Sequence, residues 1–381
     1  MHFRWTAEQE AIRERVRSFL ETNLPSNWSD IASLSPGSKE VTEFSLSFCP
    51  KLAAEGLLVP HWPVEFGGRE ASTWEHFIIG EQMWEAGEPR GPQYYNVNWI
   101  GPTIMKFGTA EQKRMHLDRM RRGDVIWCQG FSEPSGGSDL AALRTKAERK
   151  GDHYVINGAK IWTSYARLAE FCFLLVRTSS ERRAVSVFLV PMARTGITVR
   201  PIQSVVGDGD LHEVFLDNVE VHESERLGPE GGGWELVRYA LNYERVGIPR
   251  YALALRILHR AAAALIKSGA FTQPARGAAA IAYTVCEAAR LLVYEVVDQR
   301  TRINPATGTT SMARYAIVIA ERRVADFVLD WTPHLFASDE DPMVATHHKR
   351  AIAAGIAAGA AEIQLNLIAR NVLGLGGSGG L

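Results

Sequence analysis

The sequence predicts a helix–sheet–helix protein, and three observations carry that prediction. The first 125 residues show helical spacing of apolar side chains, the next hundred break into short alternating runs, and the helical period returns after Gly231-Gly232-Gly233. At 381 residues and 46% hydrophobic composition, the chain is long enough to bury large shared cores.

In the first region, residues 1–125, Ile12, Val16, Phe19 and Leu20 recur at three- and four-residue spacing, and HWPVEFGG (61–68) interrupts the pattern. The second region, residues 126–228, holds HYVING (153–158), FCFLLVR (171–177), AVSVFLVP (184–191) and HEVFLDNVEV (212–221), separated by Gly, Asn and Asp. β-branched and aromatic residues in runs of this length predict strands. In the third region, residues 229–381, one long helix is expected over WELVRYALNYERVGIPRYALALRILHRAAAAL (234–265), kinked near Pro249, and alanine-rich helices follow to Leu373. The terminal GLGGSGGL (374–381) has too little side chain to pack.

Charge and composition narrow the function. The 42 basic and 43 acidic residues nearly cancel, which argues against nucleic acid and anionic membranes as partners. No run approaches the roughly 18–20 apolar residues of a membrane span, and MHFRWTAEQEAIRERV is a charged amphipathic helix rather than a secretion signal, so a cytoplasmic protein is expected. Cys49, Cys128, Cys172 and Cys286 are scattered without paired Cys or His, which predicts reduced buried thiols and no metal centre.

The stretch WCQGFSEPSGGSDLAALRTKA (127–147) offers backbone N–H groups and small hydroxyls suited to a ring edge and a phosphate. NGAKIWTSYARLAEF (157–171) adds an aromatic residue and two hydroxyls about twenty residues later. Together they resemble the acyl-CoA dehydrogenase family. Its signature is a small residue, an aliphatic one, Ser or Thr, Glu, two variable residues, a small residue, Gly, Ser or Thr, and Asp. Gly130-Phe131-Ser132-Glu133-Pro134-Ser135-Gly136-Gly137-Ser138-Asp139 matches it except at Phe131. VPHWPVEFGG (59–68), GPTIMKFGTAEQK (101–113) and AEIQLNLIARNVLGL (361–375) also look like family segments in family order.

The resemblance implies an acyl-CoA dehydrogenase-like fold: an all-α N-terminal domain, a small middle β-barrel or sandwich, and a C-terminal four-helix bundle. It also implies FAD. Carried over by position, Gln129, Phe131 and Ser132 line the flavin's pyrimidine side, Ser138 lies toward the pyrophosphate, Trp162, Thr163 and Ser164 sit against the isoalloxazine ring, and Gly137 is counted with the cofactor-binding residues. The plainer alternative is that Ser132 and Ser138 cap turns and Trp162 is a core residue.

An α-proton beside a thioester is weakly acidic, so its removal needs a positioned, desolvated carboxylate. The family carries this base either before an arginine in the helix here spanning 234–265 or near the C-terminus. Glu244 before Arg245 fills the first position, whereas Ala357 and Ala358 stand where the second type has Tyr and Glu. Asn242 and Arg245 are assigned to the CoA substrate; an ordinary intrahelical partner for arginine is the competing reading of Glu244. The implied reaction is α,β-dehydrogenation to a trans-2-enoyl-CoA with an electron-transfer flavoprotein as acceptor, with oxygen as the alternative. A flavin monooxygenase of the same fold and a subunit that only completes another's FAD site are the alternative functions.

Two family segments that grip a neighbouring subunit's FAD, Arg-x-x-Phe-Gly and Gln-x-x-Gly-Gly, have no counterpart here. LIKSGAFTQPARG (265–277) offers Phe271 without the expected arginine and glycine, and WTPHLFASDEDP (331–342) replaces the second segment. This implies an α2β2 assembly with a homologous subunit, as in the bacterial branch acting on steroid-derived CoA esters, with a homo-oligomer as the alternative.

Overall fold

The computed structural model describes residues 5–375 apart from 182–183, 208–210, 247–248, 303–306, 339 and 358; for 242–246 and 307 it describes the backbone alone. Packing cuts across chain order and divides the chain into two compact units: Met1–Leu34 with Ala71–Pro89 and Arg245–Leu381, and Ser35–Glu70 with Arg90–Glu244. Helical regions flank a middle sheet, as the sequence predicts.

The second unit holds that sheet. Its strands are β1 (Trp127–Gly130), β2 (Lys146–Lys150), β3 (His153–Lys160), β4 (Phe171–Arg177), β5 (Val185–Pro191), β6 (Ile197–Ile202), β7 (Leu211–His222) and β8 (Arg226–Leu227). They lie in the order β6-β7-β3-β2-β4-β5-β8, with β1 running parallel beside β4. The core between its faces includes Tyr154, Ile156, Leu174, Phe188, Val190, Val214 and Val219.

Four of these strands, β1, β2, β6 and β8, carry no strong sequence signal. In KAERK only Ala147 is buried, so β2 reads as a charged loop until it is hydrogen-bonded between β3 and β4. β7 shows how the fold uses an irregularity. Ile156 pairs with Val219 but Gly158 with Leu216, so β7 holds one extra residue, and Asn218 takes the left-handed conformation there (φ 50°). The bulge reverses the phase of alternation. Val219 and Val221 face the core on one side of it, and His212, Val214 and Leu216 on the other.

The first unit is helical: Ala7–Asn23, Thr73–Glu85, Arg250–Lys267, Gln273–Arg302, Thr307–Trp331, Pro342–Ala353 and Ala361–Asn371 are its longer elements. Thr6 caps the first of them through a capping box with Gln9. The single long helix expected over 234–265 is instead two, Gly233–Val246 and Arg250–Lys267, with Pro249 preceding the second. Proline lacks the N–H that would continue the ladder and disfavours helical geometry in the residue before it, so it separates the helices rather than merely kinking one.

Within this unit Glu81 is buried and accepts hydrogen bonds from Tyr251 and, at 2.9 Å, from Tyr294. Burial pushes its pKa above the ordinary 4.5 despite the tyrosines, Arg13 and Arg290. The neutral carboxyl is therefore favoured in the fold, and its contribution is complete below pH 4.5 and lost as pH rises through the raised value. Raising the pH from 5 to 8 should therefore cost the wild type more melting temperature, or gain it less, than it does Glu81→Gln; an identical pH response in the two would reject the assignment.

Candidate active site

Two chain segments of the second unit are clamped side by side. After β1 the chain runs through Phe131, Ser132 and Glu133; after β3 it runs from Ile161 to Tyr165. Lys160, at the end of β3, is fully buried, and its ammonium donates to Glu133 Oε1 at 2.8 Å and to the Phe131 carbonyl at 3.3 Å. The Glu133 carboxylate also accepts from the backbone N–H groups of Arg144 and Thr145. Ile161 N–H donates to the Ser132 carbonyl at 2.9 Å, closing the clamp.

Burial disfavours charge on both Lys160 and Glu133 and lowers the Lys160 pKa. For Glu133 that burial effect is outweighed by the adjacent ammonium and the hydrogen bonds, which hold its carboxyl below the usual range. The two groups lie 2.8 Å apart as a buried ion pair.

On the far side of the second segment, Thr163 N–H donates to the His212 carbonyl at 3.0 Å. The His212 ring returns the contact, with Nδ1 3.2 Å from the Thr163 carbonyl. Because a carbonyl only accepts, Nδ1 carries the proton, and burial lowers the His212 pKa, keeping the ring neutral. The β7 bulge is what turns His212 inward to do this.

Held between these contacts, Trp162 adopts a left-handed backbone (φ 58°) and leaves 56% of its surface exposed. Bulky residues rarely take this conformation, and strained backbone concentrates at ligand sites. Tyr165 is left-handed as well (φ 63°) but buried, edge-on to Tyr95 at 5.3 Å.

The structure sorts the predicted residues. Gln129 is half-buried at the end of β1. Ser132 and Ser164 are half-buried, Gly137 and Ser138 are exposed, and the three hydroxyls make no hydrogen bond among the described residues. Phe131 is turned into the core, its ring 5.8 Å from Phe173, so its side chain is not open to a ligand. Thr163 is also buried, its hydroxyl unpartnered among the described residues. Asn242 and Glu244 lie in the backbone of Gly233–Val246, as does Arg245, and their side chains fall outside the described residues. Glu244 occupies the register position that continues buried Gly233, Leu236, Val237 and Ala240. Of the empty second base position, Ala358 lies outside the described residues, and the Ala357 carbonyl accepts from Arg314 at 2.8 Å.

Sequence reading missed two residues. One is His212, for which the phase change within HEVFLDNVEV was the available signal. The other is Trp99, whose indole N–H donates to Gln129 Oε1 at 2.8 Å. Trp99 sits in a π-helical turn, Asn96–Ile100, just before Gly101-Pro102. Pro102 has no N–H to give, so the turn before it widens, and side chains take its carbonyls: Trp62 the carbonyl of Val97 and Thr103 that of Trp99. Gly101 permits this because a Cβ there would come within 2.4 Å of the Trp62 ring. Gly101→Ala should therefore destabilise the protein by about 1–3 kcal/mol, read as a lower melting temperature. An unchanged melt would contradict the packing.

An exposed indole and hydroxyls without partners among the described residues thus lie on a clamped pair of segments. Comparison with known proteins gives the family. Residues 6–124, 128–219 and 231–373 match the N-terminal, middle and C-terminal domains of acyl-CoA dehydrogenases. The chain belongs to the acyl-CoA dehydrogenase family. It is 39% identical over 241 residues to acyl-CoA dehydrogenase IpdE1 of Mycobacterium tuberculosis, covering 62% of this chain and 63% of that protein. With acyl-CoA dehydrogenase FadE26 of the same organism it shares 35% identity over 254 residues, 65% of this chain and 63% of that one. The matches thus span just under two thirds of these relatives' lengths. Among solved structures, a Tcur3481-Tcur3483 steroid ACAD superposes with a TM-score of 0.89 at 27% identity, covering 99% of this chain and all of that one. The ChsE4-ChsE5 complex from Mycobacterium tuberculosis gives 0.87 at 28%, covering 99% and 100%.

The residues present fit FAD. The exposed Trp162 indole suits an isoalloxazine ring, and the hydroxyls of Ser132, Ser138 and Ser164 suit its polar edge and phosphates.

Proposed function

We propose that this chain is an FAD-dependent acyl-CoA dehydrogenase that converts a CoA thioester to its trans-2-enoyl product, with Glu244 as the base. The observation that carries the reading is the strained, exposed Trp162 held between Ser132 and His212. When bound, FAD supplies the hydride acceptor. The chain's own residues do the rest: Glu244 takes the α-proton, Asn242 and Arg245 engage the CoA ester, and Gln129, Ser132 and Ser164 orient the ring.

The proposed substrate is a bulky, steroid-derived acyl-CoA, a reading supported by relatives whose names include a steroid ACAD. The proposed assembly is α2β2 with a homologous subunit, as the ChsE4-ChsE5 complex is named for two chains. Supporting this, LIKSGAFTQPARG (265–277) and WTPHLFASDEDP (331–342) stand where the family's Arg-x-x-Phe-Gly and Gln-x-x-Gly-Gly segments are expected. The proposed electron acceptor is an electron-transfer flavoprotein, and the proposed compartment is the cytoplasm. Among the described residues no helix is long and apolar enough to cross a membrane.

The test is to purify the chain alone and with a homologous subunit encoded beside it, then titrate acyl-CoAs of different bulk without oxygen. About one FAD per unlike pair, bleached by a bulky acyl-CoA, is expected. Full FAD in the lone chain would reject the heteromer, and FAD that no acyl-CoA bleaches would reject the dehydrogenase.

A further inference from the structure

We infer that Trp99 is a positioning residue that locks the Gln129 amide in one orientation, so that Gln129 presents its NH2 group as a hydrogen-bond donor to the flavin ring. The inference rests on the FAD reading above and adds a residue and a polarity to it.

A glutamine amide has an acceptor end and a donor end of nearly equal shape, and either can face a ligand. At Gln129 the choice is made by its neighbour. Indole N–H is a donor only, so the oxygen 2.8 Å from Trp99 Nε1 must be the glutamine's carbonyl. With Oε1 occupied, Nε2 is the end left for a ligand.

The neighbour is itself immobile. Trp99 is 2% exposed, edge-on to Tyr94 at 5.6 Å and tilted against Tyr95 at 4.5 Å. Its carbonyl is capped by Thr103 at 2.6 Å. Tyr95 in turn meets Tyr165, which follows the Trp162–Ser164 stretch. Tyr95, which caps the π-helical turn, and Trp99 within it thus brace both segments: Trp99 reaches Gln129 on β1, and Tyr95 reaches Tyr165 after β3. An α-helical turn would rotate the indole by a large fraction of a turn away from β1.

A donor at the pyrimidine edge favours the electron-rich reduced ring over the oxidised one. Losing it lowers the flavin's midpoint potential, and losing one hydrogen bond weakens FAD binding by about 2- to 10-fold.

The experiment measures FAD affinity by flavin fluorescence and midpoint potential by dye equilibration on the FAD-loaded assembly. Trp99→Phe keeps a ring but removes the N–H, Gln129→Met removes the amide, and Gln129→Glu puts an acceptor where the donor stood. All three should lower the potential, Gln129→Glu most, and Trp99→Phe should add nothing in the Gln129→Met background. A wild-type potential in Trp99→Phe would overturn the inference, as would an undiminished Trp99→Phe effect beside Gln129→Met. If Trp99→Phe fails to fold, Gln129→Glu decides: a wild-type potential there overturns it too. A wild-type assembly that takes up no FAD rejects both this inference and the function it rests on, whereas FAD uptake with unaltered variants rejects this inference alone.

Discussion

Glu244→Gln is expected to leave FAD and acyl-CoA binding nearly intact while slowing flavin bleaching by about 10²- to 10⁴-fold, the usual worth of a positioned general base. The amide keeps the size and hydrogen-bonding capacity of the side chain but cannot accept a proton from carbon. Glu244 sits where the buried stripe of Gly233–Val246 continues, and the alternative base position holds alanines, so no second carboxylate replaces it there. Stopped-flow reduction by an anaerobic acyl-CoA reads the effect directly. Bleaching at a near-normal rate would show that another group takes the proton.

The largest effect on stability is expected at Lys160→Met. The ammonium is 2.8 Å from Glu133, and both side chains are almost entirely buried. Removing one member of such a pair leaves an uncompensated charge and costs about 3–5 kcal/mol. For a protein of 381 residues that is roughly 4–6 °C in melting temperature. On the proposed function FAD affinity should fall with it, because Lys160 also holds the Phe131 carbonyl next to Ser132.

The pH dependence distinguishes this mechanism from simple loss of packing. In the wild type the Glu133 pKa is depressed below its ordinary 4.5, so its contribution is present above that value and is lost as pH falls through the depressed one. Without Lys160, burial favours the protonated carboxyl, so Lys160→Met should be less harmful at pH 5 than at pH 8. Lys160→Met combined with Glu133→Gln should recover part of the loss, since no uncompensated charge remains and the amide oxygen still accepts from one of the N–H groups of Arg144 and Thr145. Equal destabilisation at both pH values would mean that the pair is not ionised.

Much of this site was legible because its chemistry is local. The run from Gly130 to Asp139 and the pair Trp162 with Ser164 carry the family resemblance, and HYVING, FCFLLVR and AVSVFLVP read as strands from their β-branched and aromatic residues. Other parts were not legible because their signals are not local. β2 is charged and becomes a strand only through its neighbours. Phe131 fits the position of a ring-lining residue, yet its apolar side chain gains more by packing on Phe173.

The order helix–sheet–helix, the two family motifs at 130–139 and 157–171 and the placement of a carboxylate before Arg245 were determined by the sequence alone, because periodicity and motif spacing are properties of adjacent residues. Which partner each buried polar group finds was decided only by the tertiary structure. Trp99 precedes Gln129 by thirty residues, and Thr163 precedes His212 by forty-nine. Only the π-helical turn and the β7 bulge bring these groups together, and hydrogen bonds act over a few ångströms of space, whatever the distance along the chain.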